Sequence, residues 1–154
     1  MDAYRELEID AREFLPVLRE MARCYQSFTF FAAKHVRELG LTTSQFDVIA
    51  TLGNTEGMTF KHLGEKTLIT KGTLTGVVDR LVAKKLVRRI ASPKDGRSQI
   101  VQLTAEGNAV FERVFPKHLE YLGKAFDEIT AHELQEIQGM LLKLSATFKR
   151  AMDA

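Results

Sequence analysis

No segment limits the fold of this chain more than residues 86 to 104, LVRRIASPKDGRSQIVQLT. A turn-forming run there separates two short apolar runs, in a sequence whose other periodicities are helical. Pro93 fixes its own φ and lacks a backbone donor, and Asp95-Gly96 favours a tight reversal, so no helix can run through. Val101 and Leu103 alternate with Gln102 as in a half-buried strand. The pattern predicts an antiparallel hairpin of two short strands, although Arg88 stands between Leu86 and Ile90 on one nominal face of the first. The hairpin is also basic. From Arg80 to Arg97 seven Lys and Arg residues face one acid, Asp95, a net +6, whereas the rest of the chain sums to −4. Such a concentration is either an electrostatic footprint for a polyanion or a solvated charged face.

Helices surround the hairpin. Phe14, Leu18, Met21, Tyr25, Phe28, Ala32, Val36 and Leu39 recur at spacings of three and four, which makes one stripe of a long helix that Gly40 ends. Pro16 is expected in or near its first turn, where a missing N–H is tolerated. Leu15, Ala22, Phe30 and Phe31 fall off the stripe, so this helix is apolar on more than one side and calls for a partner. Thr42-Thr-Ser-Gln45 reads as a capping box ahead of Phe46, Val48, Ile49 and Leu52. Thr59 can cap a short third helix carrying Leu63, and Thr67 to Ile69 makes a tight link. Thr70 is then expected to cap a fourth helix, with Leu74, Val77, Val78 and Leu81 inward. Thr104 opens a fifth, with Phe111, Phe115, Leu119, Leu122 and Phe126 in line and a kink expected at Pro116. Thr130-Ala-His-Glu133 is a second capping box before Leu134, Ile137, Leu141, Leu144, Phe148 and Met152.

The bulk properties exclude several classes. A chain of 154 residues can bury one core without metal or disulfide staples. The opening MDAYRELEIDAREF is acidic and amphipathic, unlike a secretory signal, and the apolar runs are too short for a membrane span, so a cytoplasmic protein without membrane association is expected. The lone Cys24 is expected to be a buried structural thiol. His35, His62, His118 and His132 lack metal-ligand spacing and are expected at ordinary surface or interface positions, with no metal and no cofactor. No phosphate loop or nucleophile motif points to an enzyme.

The order helix, short helix, turn, longer helix, two-stranded hairpin is the plan of a winged helix-turn-helix. In such a unit the second helix of the turn lies in the major groove with its N-terminal residues on base edges. Thr70 to Lys85 would span about 24 Å. Thr70, Thr73 and Thr75 can hydrogen-bond to bases or phosphates, and Lys71 can neutralise a phosphate. Lys94 and Arg97 at the hairpin tip can reach a minor groove, with Asp95 orienting Arg97 and shaping the turn.

The segments LTTSQFDVIATL, ITKGTLTGVVDRLVAKKLVRR and SPKDGRSQIVQLTAEG resemble the MarR family of transcriptional regulators, and the resemblance extends over nearly the whole chain. Its most distinctive part is Asp95-x-Arg97 followed by Leu103-Thr104-x-x-Gly107. The resemblance implies a mainly α fold, a winged helix-turn-helix with a small antiparallel β-hairpin wing. It implies one domain over 1–154, with 1–40 and 108–154 as dimerisation helices and 41–107 as the DNA-binding lobe. It further implies a homodimer acting as a ligand-responsive repressor on a pseudo-palindromic site in double-stranded DNA. A small aromatic or anionic effector would lie between the first helix and the DNA-binding lobe, near Phe28, Phe31, His35 and Phe46. Two positions depart from the family pattern. Gly76 stands where a polar or basic residue is common, which shifts an expected DNA contact to Arg80, and Lys85 stands where glycine commonly ends the recognition helix. The competing readings are a metal- or redox-responsive sensor of the same fold, or a helical interaction protein that has lost specific DNA binding.

Overall fold

The computed structural model describes residues 11–154. The amphipathic opening residues 1–10, and the part of the N-terminal dimerisation segment they form, lie outside the described residues. The element order is α1 (Ala11–Glu38), α2 (Thr43–Leu52), β1 (Met58–Thr59), α3 (Phe60–Thr67), α4 (Lys71–Ala83), β2 (Val87–Ala91), β3 (Gln99–Leu103), α5 (Ala105–Lys124) and α6 (Ala131–Asp153). The described residues up to His118 form one compact unit and Leu119–Ala154 a second.

In the first unit the helix ends follow their local chemistry. Thr42 and Gln45 cap each other reciprocally at the start of α2, and Thr59 Oγ1 accepts from the His62 N–H at the start of α3. Gly40, at φ +83°, closes α1 through bonds from the Gly40 and Leu41 N–H groups to Arg37 and Val36, a glycine-ended helix stop. Pro16 lies inside α1, not in its first turn, because Ala11 is already helical. Pro116 lies inside α5, and Phe126 falls beyond the end of that helix.

The core gathers Val36 of α1, Phe46, Ile49 and Leu52 of α2, Leu63 of α3, and Leu74, Val78 and Leu81 of α4. Val87, Val101 and Leu103 of the sheet and Phe111 and Val114 of α5 complete it. The sheet has three strands in the order β1-β3-β2, all antiparallel, where the sequence pattern suggested two. β1 is only Met58 and Thr59, too short for alternation to reveal, and pairs with Val101 and Ile100. The irregular alternation before the turn is also explained. Leu86 lies in the turn that follows α4 and β2 begins at Val87, so Val87 and Arg89 share a face opposite Leu103 and Val101.

In the second unit, Thr130 and Glu133 form the expected capping box, and these bonds hold the Glu133 carboxyl below its usual range. None of the residues of α6 is buried. Leu134, Ile137, Met140, Leu141, Leu142, Phe148 and Met152 all stand exposed on it. Likewise Phe14, Val17, Met21, Tyr25 and Phe28 are exposed on α1. Cys24 is exposed too, not buried as expected, because it shares this uncovered face of α1. No described helix is long and apolar enough to cross a membrane.

Candidate nucleic-acid interface

The recognition helix α4 is 13 residues, about 20 Å, and shorter at both ends than the 70–85 stretch. Thr70 takes the extended N-cap conformation but makes no side-chain cap bond, contrary to expectation. Its Oγ1 instead bonds to Thr73 Oγ1 at 3.1 Å. Thr75 Oγ1 donates to the Lys71 carbonyl at 3.1 Å. A hydroxyl has one proton and two acceptor sites. Thr75 has therefore spent its proton on the helix and can only accept from outside, whereas Thr70 and Thr73 share one hydroxyl–hydroxyl bond, in which either can donate, and so retain one proton between them. Thr70, Lys71, Thr73, Thr75 and Arg80 are all exposed. A side chain at Gly72 or Gly76 would meet nothing within 4 Å, so packing does not require glycine at either place.

At its C-terminal end, Lys85 adopts φ +60°, a left-handed conformation that glycine takes more readily. The Lys85 N–H bonds to Val82 O at 2.9 Å and the Leu86 N–H to Leu81 O at 3.0 Å, the paired bonds of a Schellman stop. Thr104 secures this exit from the far side of the wing. Its Oγ1 donates to the Lys85 carbonyl at 2.6 Å and accepts from the Gly107 N–H at 3.0 Å, while its own N–H bonds to Leu86 O at 3.1 Å. A Cβ on Gly107 would stand 1.9 Å from that same Leu86 oxygen. The Leu103-Thr104-x-x-Gly107 motif is thus the joint between recognition helix, wing and α5.

The wing turn is built from its own side chains. Asp95 Oδ1 accepts from the Arg97 backbone N–H at 3.0 Å, and Ser92 Oγ from the Lys94 N–H at 3.3 Å. Asp95 therefore shapes the turn through the main chain, and no ion pair joins it to the Arg97 guanidinium among the described residues. Lys94, Asp95 and Arg97 are exposed. Two links that sequence reasoning did not find tie the wing down. Arg89 pairs with Asp79 of α4. Arg88 Nε donates to Gln102 Oε1 at 2.8 Å, and Gln102 Nε2 donates to Glu56 O at 2.9 Å.

The residues proposed around an effector only partly converge. Phe46 is a core residue at 8% exposure, and Phe28 is half exposed on α1. His35 Nδ1 lies 3.0 Å from His118 Nδ1, the two rings stack at 5.3 Å, and His118 meets Phe46 edge-on at 4.6 Å. His118 is only 4% exposed within the chain itself, a core position in place of the surface or interface one expected. It continues the buried α5 stripe of Phe111 and Val114, a helical spacing that was readable in the sequence. No group of three or more His, Cys, Asp or Glu among the described residues is placed to hold a metal ion.

A helix-turn-helix whose second helix exposes its first turns, braced by a basic β-wing, defines the winged helix-turn-helix class. The MarR family profile matches residues 39–98. A MarR-family transcriptional regulator from Silicibacter pomeroyi is 32% identical in sequence, with 93% of this chain and 96% of that one covered and a TM-score of 0.69. BpsR of Bordetella bronchiseptica, solved in work on regulation of its DNA binding by 6-hydroxynicotinic acid, is 28% identical over 84% of this chain and 98% of that one, with a TM-score of 0.74. A mutant MarR of E. coli complexed with operator DNA is 26% identical over 86% and 95%, with a TM-score of 0.76. The chain belongs to the MarR family of winged helix-turn-helix transcriptional regulators.

Proposed function

We propose that this chain acts as a homodimer on a pseudo-palindromic operator in double-stranded DNA, and represses transcription until an effector binds. The observation that carries the reading is the pairing of an exposed Thr-rich first turn on α4 with a basic wing tip, both built onto one braced core. In this reading the Thr70–Thr73 pair donates to base or phosphate acceptors and Thr75 accepts from an exocyclic amine, so together they carry base preference. Lys71, Arg80 and Lys94 neutralise phosphates, and Arg97 enters the minor groove beside them. Gly76 leaves bare backbone where a long side chain would otherwise stand, which gives the reach across that face to Arg80.

The exposed apolar faces of α1 and α6 support dimerisation through residues 1–40 and 108–154, with 41–107 as the DNA-binding lobe. A two-fold dimer presents its recognition helices to half-sites about one helical turn, roughly 34 Å, apart. The chain acts as a cytoplasmic regulator and not as an enzyme. Its effector is a small aromatic or anionic molecule near Phe28, Phe31, His35 and Phe46, in line with the 6-hydroxynicotinic acid named for BpsR. The effector need only favour a dimer geometry in which the two helices no longer match the half-site spacing.

Selection from a random DNA library at moderate salt, with light scattering on the same preparation, tests the reading. A dimer that enriches an inverted repeat supports it. A folded monomer, or binding that is weak, steeply salt-dependent and without a motif, overturns it. On the enriched site, Arg97→Ala is expected to weaken binding by about tenfold with the unfolding midpoint unchanged, the loss of one well-placed cation.

A further inference from the structure

The turn between α3 and α4 holds a residue that packing does not explain. Leu68 ends α3 at φ +60° and ψ +15°, a left-handed conformation that glycine or asparagine takes more easily than leucine. The residue is 88% exposed, more than any other large apolar residue among those described. The turn around it is well determined. The Leu68 N–H bonds to Gly64 O at 2.9 Å, Thr67 Oγ1 donates to Leu63 O at 2.8 Å, and Ile69 packs on the core. A single exposed leucine is ordinary, and a single left-handed residue is ordinary. Their coincidence in a turn where glycine would relieve both is not, and backbone strain retained at one position is a pointer to function.

Leu68 stands two residues before the N-cap Thr70, beside the first turn of the recognition helix, with exposed Lys66 and Lys71 on either side of it in sequence. When the start of that helix is on base edges, the turn just ahead of it is at the rim of the same groove. The one apolar group that a major-groove edge offers is the 5-methyl of thymine. We propose that Leu68 is a specificity-determining residue that packs on a thymine methyl at the edge of each half-site. The inference rests on the DNA-binding reading above and extends it to a contact that no polar side chain supplies. The two lysines hold the flanking phosphates, and the isobutyl group distinguishes the base.

The experiment compares the full-length protein with Leu68→Gly and Leu68→Asn, two residues that tolerate the left-handed backbone and lack the apolar side chain. Binding is measured to the selected operator and to duplexes in which each thymine in turn is replaced by deoxyuracil, which removes only the methyl. The expected result for the unsubstituted protein is a loss of about fourfold at one symmetry-related thymine, the value of one buried methyl group. Both variants should lose that preference, keep the uracil profile at every other thymine, keep the salt dependence of binding, and unfold at the same or a higher temperature. Variants that retain the original uracil profile, or an unsubstituted protein indifferent to every thymine methyl, overturn the inference while leaving the DNA-binding reading intact. A protein that selects no site at all overturns that reading, and the inference with it.

Discussion

The Arg89 guanidinium of β2 pairs with the Asp79 carboxylate of α4 and lies 5.5 Å from the centroid of the Phe60 ring at the start of α3. One side chain thus couples the wing, the recognition helix and the helix before it. Both partners are partly exposed, so their coupling in a double-mutant cycle of Arg89→Ala and Asp79→Ala is expected to be about 0.5–1 kcal/mol and to shrink with salt. Arg89→Lys should restore the charge pairing but not the flat contact on Phe60. Denaturant unfolding of the four proteins of the cycle measures this, and a coupling of zero would mean the wing is held by the sheet alone.

Gly107→Ala should be among the most damaging single-methyl changes in the chain. The added Cβ would fall 1.9 Å from the Leu86 carbonyl oxygen, a backbone atom that cannot move without opening the end of α4. Overpacking of this kind is expected to cost about 3 kcal/mol. Gly76→Ala, where a Cβ meets open space, should instead stabilise by about 0.5–1 kcal/mol, the ordinary gain of alanine over glycine in a helix. Opposite signs in the two unfolding curves are the expected outcome.

Lys85→Gly should raise stability by about 1 kcal/mol, because the helix stop stays the same and the left-handed strain is removed. An unchanged midpoint would show that the left-handed backbone costs lysine no more here than glycine loses in unfolded-chain entropy.

The threonines at two helix starts should behave differently. Thr42→Ala removes half of a reciprocal cap and is expected to cost about 1 kcal/mol. Thr70→Ala removes no cap bond and should leave the unfolding midpoint nearly unchanged. It should nonetheless alter operator preference, since the Thr73 hydroxyl loses the partner that orients it.

Burial, and after it the neighbouring His35, hold His118 below the ordinary imidazole value of 6.5. The unfolded chain then binds a proton that the native state resists. The stabilising difference is complete above about pH 6.5 and is lost as pH falls through that value toward the lower native one. Urea midpoints at pH 7.5 and 5 should therefore decline in the original protein. The decline should be smaller in His118→Phe, which keeps a ring against Phe46.

Much of this molecule was legible in one dimension because its signals are local. Two reciprocal capping boxes, at Thr42 and Thr130, are each complete within four residues, and the stripes Phe46 to Leu52 and Leu74 to Leu81 repeat with the turn of a helix. The Ser92–Ser98 turn closes on its own side chains, so its place was readable too. What the amino-acid sequence determined by itself was therefore the helices and the wing hairpin, their apolar faces, and the basic character of the wing. Tertiary structure alone decided the rest. Met58 and Thr59 become a strand only because β3 lies beside them, and His35 meets His118 only because α1 and α5 pack on one core. Thr70 gives up its cap for Thr73, and Lys85 accepts a left-handed backbone because the exit of α4 is clamped by Thr104. Caps and periodicities are settled between neighbours in the chain, whereas contacts across tens of residues depend on which surfaces burial brings together.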